Sequence, residues 1–462
     1  MDFFETFLNI TPIDGRYKSK CKKLNIFTSE YGLFYYRVKI EILLLKEFSS
    51  LPLVKECPLL SKDQENFLNR IVKNFSKKDF YTIKKIEKFT QHDIKSVEYF
   101  IKNKLAERQD MKNYVEFVHF ACTSEDINNL SYALQLLDCR DKILLKEFKI
   151  IAEKLDMMSY MYAKLPMLSR THGQSASPTT LGKEFRNFEQ RLVRQLNLLS
   201  NIQIFGKFNG AVGNFNAHVI SFPEIDWIKF SKNFVTKILK LNWNPHTTQI
   251  EPHDYIAEYF HNLIRINIIL IDLCRDIWGY IALGYFKQNI KKEEVGSSTM
   301  PHKINPIHLE NAEGNLGLSN ALLNHMAMKL PISRWQRDLT DSTVLRNIGT
   351  ALSYIVIGIK SLQKGLNMIE ADLTIISKDL NENWIVLSEA IQTIMRRYKC
   401  KTPYEKVKEF TDGKKKISKK DLYKFIKSLN LSQSQKNILY KTTPSNYIGY
   451  AIKLSQFKLF SL

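Results

Sequence analysis

Residues 255–283 read YIAEYFHNLIRINIILIDLCRDIWGYIAL, a stretch in which apolar residues recur at spacings of three and four over eight turns. That period predicts one long amphipathic helix, roughly 40 Å from end to end. The same spacing returns in 41–48 (EILLLKEF), 143–158, 185–199 and 316–330. Strand-like alternation is confined to short pieces near 206–220, where glycines and aromatics interrupt any regular element. The expected fold class is therefore all-α, with long helices in the middle of the chain. The apolar faces of these helices are too broad for one thin bundle, so burial against further copies of the chain is expected as well.

No Pro/Gly/Ser linker separates domains, and the expected boundaries are soft. They divide the chain into an N-terminal helical segment 1–110, a central long-helix segment 111–365 and a C-terminal segment 366–462. The last is lysine-rich and holds shorter amphipathic stretches such as 422–429. With 44% hydrophobic and 12% aromatic residues, the chain can offset the entropy of ordering by burial. No apolar run of roughly 18 residues is uninterrupted; the strongest, Ile266–Leu273, is broken by Asp272, Arg275 and Asp276. The N-terminus lacks the positive charge and cleavage site of a secretory signal, which points to the cytoplasm and away from membranes.

The six cysteines lie far apart, without a CxxC pair, and no HExxH, P-loop or GxGxxG occurs. Nothing in the sequence calls for a metal or another cofactor. The net charge of +21 is spread along the chain apart from one cluster at 414–420. It is read as solvated surface that attracts an anionic small molecule rather than as a dedicated nucleic-acid interface.

Chemistry concentrates in 296–306, GSSTMPHKINP, where two serines, His302, Lys303 and Asn305 crowd between a glycine and two prolines. Pro301 and Pro306 each remove an amide donor, so the segment is a loop, anchored by the helix that follows it. CTSEDINN (122–129) fits a capping box with Thr123 as N-cap and Asp126 in place of the usual glutamate. A helix start of this kind also presents amides and hydroxyls, from Thr123 and Ser124, to a carboxylate. His172, in LSRTHGQSASP (168–178), lies outside any helical period, and histidine is the side-chain type best suited to acid–base work near neutrality. Arg337, Ser342 and Arg346 fall within ten residues, with Arg16 and Tyr17 forming a second small group. Forked guanidinium donors of this type suit a phosphate dianion.

The loop 296–306 resembles the shared loop of the fumarase and aspartase superfamily, and 122–129, 168–178 and TTQIEPHDY (247–255) match that superfamily in order. With PIDGRY (12–17), QHDIKSVEYF (91–100), RWQRDLTDSTVLRN (334–347) and PYEKVKEFT (403–411), the chain looks like the bacterial-type adenylosuccinate lyases in particular. The resemblance implies a three-part helical chain whose long central helices associate into the core of a homotetramer, with active sites shared between subunits. It also implies a cofactor-free elimination of fumarate from a succinylated nucleotide. Ser297 is then the base and His172 the acid. The substrate is bound by Arg16, Tyr17, Gln91, His92, Asp93, Thr123, Ser124, Gln249, Ser298, Lys303, Asn305, Asn311, Arg337, Ser342 and Arg346. His92, His119 and His302 are orienting or binding groups rather than the acid. At Gln91 the pattern commonly has asparagine, which leaves the reach of this side chain in question. Argininosuccinate lyase or fumarase would share the glycine–serine loop without needing a phosphate pocket, and a basic helical nucleic-acid binder would show salt-dependent binding without turnover.

Overall fold

The computed structural model describes residues 8–289, 299–300, 302–414 and 416–461, so Gly296, Ser297, Ser298 and Pro301 lie outside the described residues. The expected helices are present: Glu30–Ser49, Leu145–Met161, Leu181–Asn201, Asp254–Ala282 and Ile307–Lys329, joined by Ile348–Met368. The Asp254–Ala282 helix starts where Pro252 and His253 turn the chain, with the His253 carbonyl accepting from the amides of Ile256 and Ala257. It ends at Gly284, whose φ of +76° places it in the left-handed region. There the Tyr285 amide reaches back to the Tyr280 carbonyl and the Gly284 amide to that of Ile281, closing the helix end as a Schellman motif.

Strands are few, and their main location differs from the expected one. Among the described residues, three two-stranded ribbons occur: β1 (Pro166–Thr171) with β2 (Gln174–Thr180), β3 (Phe205–Gly206) with β4 (Asn242–Trp243), and β5 (Phe286–Gln288) with β6 (Ile369–Ala371). The stretch 206–220 contributes only the end of β3, because Asn216–Ser221 is helical. The longest ribbon is instead β1–β2, an antiparallel hairpin turned by His172 and Gly173, with φ values of +54° and +76°. Two consecutive left-handed residues match the right-handed twist of a tight hairpin. The alternation that betrays a strand was hidden by small polar residues in QSASPTT.

Two compact units are present. The first comprises 1–147, 197–267 and 315–358, and the second 148–196, 268–314 and 359–462. In the first, the Ser124–Cys139 helix is locked to the loop after β3. Asp126 accepts hydrogen bonds from the Asn209 and Gly210 amides and pairs with Lys207 at 2.9 Å, both side chains fully buried. Asn129 bonds both the amide and the carbonyl of Lys207. In the second, short C-terminal helices pack around Leu387, Ile391, Met395, Leu422 and Ile426. Among the described residues one stretch, Thr340–Met368, is apolar enough to span a membrane by length and composition, with mean hydropathy 1.3. In its most apolar 18-residue window, 56% of the residues are buried inside the molecule.

Candidate active site

In the first unit, Gln91, His92, Asp93, Thr123, Ser124, Gln249, Arg337, Ser342 and Arg346 line one cleft of about 440 Å³, together with Glu87, Asn128 and Leu339. Nine of the residues singled out in the sequence, from four separate segments, thus converge. Each has a local reason for its place.

Gln91 and His92 form the corner between helices Lys77–Thr90 and Asp93–Ala106. Gln91 caps the first in a left-handed conformation, φ +50°, and its amide nitrogen donates to the Lys88 carbonyl. This explains why asparagine suits the position: its short side chain tolerates left-handed backbone better than glutamine does. His92 is the N-cap of the second helix, where its Nδ1 accepts from the Lys95 amide at 3.2 Å. An accepting Nδ1 puts the proton of the neutral ring on Nε2. Asp93 is held by Arg37 at 2.8 Å and reached by Arg346 at 3.4 Å. Burial opposes its ionisation, yet the Arg37 guanidinium, the Ile94 amide and Arg346 together keep its carboxyl below the usual range.

Thr123 and Asp126 form the expected capping box, the Asp126 carboxylate accepting from the Thr123 amide at 2.9 Å. Burial alone would push the Asp126 carboxyl up; Lys207 and the Thr123 and Asn209 amides overrule it and hold the group low. Ser342 and Arg346 lie four apart on and just after the short helix Thr340–Leu345, hence on one face. Arg346 is half exposed, whereas Arg337 is largely buried and faces Glu125 at 3.3 Å and Asp341 at 3.7 Å. Gln249 accepts from Arg337 Nη1 at 3.2 Å and donates to the Ala211 carbonyl.

Arg16 and Tyr17 do not line this cleft. Tyr17 packs beside Ile13, Cys21 and Ile357, with the Arg16 guanidinium 5.9 Å from its ring centre. His119 is also accounted for internally: its Nδ1 meets Glu41 at 2.6 Å, and although burial works against the charged ring, Glu41, Glu98 and Asp126 raise its pKa.

In the second unit, His172 sits exposed at the hairpin tip, with no hydrogen bond or ion pair among the described residues. The hairpin beneath it is braced: Arg170 pairs with Asp379 at 2.6 Å and bonds the Tyr285 hydroxyl. Leu168 is buried against Leu380 and Val386. His302 and Lys303 are exposed, Asn305 is half-buried, and the Ile304 carbonyl between them accepts from Gln288 of β5. Asn311 accepts a 2.6 Å hydrogen bond from Ser361. Ser297 and Ser298, expected as the base and the hydroxyl beside it, lie outside the described residues.

Arg37, Asn128, Glu125, Asp341 and His253 were not singled out in the sequence. The four-residue spacing of Arg337 and Asp341 was the visible signal for that pair. The oxygen and nitrogen atoms of Glu125, His253 and Asp341 lie within 4.8 Å of one another, a spacing that a metal ion fits. Both carboxylates already face the Arg337 guanidinium, which supplies the positive charge between them.

Comparison with known proteins places this geometry. A lyase family model matches residues 15–319, and a model of the adenylosuccinate lyase C-terminal region matches 333–448. The adenylosuccinate lyase of Haemophilus influenzae is 51% identical over 97% of this chain and 98% of its own length. That of Escherichia coli K12 is 51% identical over 96% and 97%. Among solved structures, a fumarate lyase from Mesorhizobium sp. BNC1 superposes with a TM-score of 0.74 at 15% identity, covering 94% of this chain and 96% of that one, which establishes a shared fold. Half of the residues are thus shared with those relatives from end to end, and the chain belongs to the adenylosuccinate lyase family.

Proposed function

We propose that the cleft binds a succinylated purine nucleotide or its ribotide precursor and that the chain catalyses reversible anti elimination of fumarate. Adenylosuccinate then gives AMP, and succinylaminoimidazole-carboxamide ribotide gives aminoimidazole-carboxamide ribotide. The observation that carries this reading is the convergence of Arg346, Ser342 and the Thr123–Ser124 helix start in one cleft. A guanidinium, hydroxyls and the positive end of a helix are the groups a phosphate or carboxylate dianion requires. Ser297 removes the proton beside the carboxylate, the electron pair expels the purine nitrogen as the carbon–nitrogen bond breaks, and His172 protonates that nitrogen. Lys303, Asn305, Asn311 and Ser298 stabilise the negative charge that develops in between.

The chain works as a homotetramer with active sites shared between subunits. Ile268 and Trp278 on the Asp254–Ala282 helix, and Leu318 and Met328 on Ile307–Lys329, are exposed large apolar side chains, which supports burial against other copies. An exposed His172 without a partner supports a site finished by another chain, as does the placement of Arg16 and Tyr17 outside the cleft. The three segments 1–110, 111–365 and 366–462 form its domains, it acts in the cytoplasm, and it needs no metal, membrane or nucleic acid.

The test is fumarate release from purified protein and adenylosuccinate with a chelator present. Turnover is expected, with none from argininosuccinate. Absence of fumarate, or release from argininosuccinate alone, overturns the substrate assignment, and loss of activity on chelation overturns metal-free chemistry.

A further inference from the structure

Behind the cleft wall, His253 occupies an unusual position. Its backbone is left-handed, φ +67°, although it is not glycine, and its side chain is 2% exposed. Such a conformation costs about 1–3 kcal/mol and persists only where surrounding structure imposes it. The imposition is visible: the His253 amide donates to Glu251 at 2.8 Å, and its carbonyl starts the Asp254–Ala282 helix.

This backbone aims the imidazole at Asp341. His253 Nε2 and Asp341 Oδ2 are both buried, neither has a hydrogen-bond partner, and they face each other at 3.6 Å. The other carboxylate oxygen of Asp341 accepts from the Ser342 amide at 2.6 Å and lies 3.7 Å from Arg337. Arg337 in turn donates to Gln249. A continuous polar chain therefore runs from His253, which does not line the cleft, to three residues that do.

Resting on the assignment of this cleft as the substrate site, we infer that His253 is a positioning residue. It holds the Asp341 carboxylate, and through it fixes the orientation that Arg337 and Gln249 present to the bound nucleotide. A buried guanidinium between two carboxylates can swing toward either. The imidazole on the far side of Asp341 decides where that carboxylate sits, and so where Arg337 points.

Two substitutions separate this role from a merely structural one. Asparagine is the residue most at home in left-handed backbone but is too short to reach Asp341, whereas glutamine fits the backbone worse and places its amide nitrogen near the position of Nε2. Positioning predicts that His253→Asn raises KM for adenylosuccinate, and the Kd for AMP, about tenfold, and that His253→Gln stays within about threefold of the parent. A backbone role predicts the opposite order. Parent values in His253→Asn, or His253→Gln no better than His253→Asn, overturn the inference.

A double-mutant cycle supplies a second measurement. The kcat/KM losses of His253→Asn and Asp341→Asn should be strongly non-additive, because both act through one path; additive losses overturn the coupling. Arg337→Ala is measured alongside. If it leaves KM and kcat unchanged, the reading of the cleft itself fails; if it damages both while His253→Asn does not, only the role of His253 fails.

Discussion

The cleft of the first unit and the hairpin tip of the second hold their side chains on opposite structural terms. In the cleft most of the polar groups are tied from behind: Asp93 to Arg37, Arg337 to Glu125 and Asp341, and the helix start at Thr123 to the fully buried Asp126–Lys207 pair. At the hairpin tip, His172 is exposed and held only by its turn and the braced strands below it. The groups proposed to bind substrate are set in advance by the fold around them, while His172, the proposed acid, is presented outward.

The widest test of this contrast is His172→Ala. A positioned general acid contributes about 10²–10⁴-fold, so kcat should fall by that factor while the thermal midpoint stays within a degree or two. A large loss of stability in this variant would mean that the tip is structural after all. Asp126→Asn should do the reverse. Removing one partner of a buried pair leaves Lys207 uncompensated, at a cost of about 3–5 kcal/mol, read from equilibrium urea unfolding. An unchanged unfolding midpoint would show that the helix start is not anchored by this pair.

The support of the cleft is also sensitive to pH. His218 lies behind the loop that receives Asp126, enclosed by the rings of Phe208, Phe215 and Trp227, and neither of its ring nitrogens has a hydrogen-bond partner. Burial lowers its pKa from 6.5 to about 4; Asp126 opposes that shift, and Lys207 adds to it. The folded state therefore binds this proton later than the unfolded state does. Its stabilising contribution is fully present above pH 6.5 and is lost as pH falls through 4, about 3 kcal/mol in all. His218→Phe should flatten the pH dependence of unfolding in that window, and an unaltered slope would assign acid lability elsewhere.

A smaller effect is expected at the cleft's exposed cation. Arg346→Lys keeps the charge but not the fork, and KM should rise about fivefold with little change in kcat. An unchanged KM would place the phosphate elsewhere. Gln91→Asn should be the gentlest change, gaining about 1 kcal/mol by relieving left-handed strain at the helix corner, with KM unaffected. A loss of stability there would show that the glutamine side chain, through Lys88, outweighs its backbone.

What the residues determine by themselves is whatever depends on near neighbours in the chain. The three-and-four spacing of 255–283 specifies its helix, Thr123 and Asp126 specify a capping box, and Ser342 and Arg346 share a face because they are one turn apart. The tertiary structure alone decides the rest. Small polar residues in 174–180 carry no alternation, so the hairpin under His172 becomes visible only when its strands pair. Arg37, Lys207 and His253 look like ordinary charged or polar residues until folding brings Asp93, Asp126 and Asp341, tens of positions away in the chain, against them. Helical periodicity is local and survives in any copy of the segment. The placement of a buried charge is set by the desolvation it suffers and by the partner that offsets it, and both exist only once the chain has folded around them.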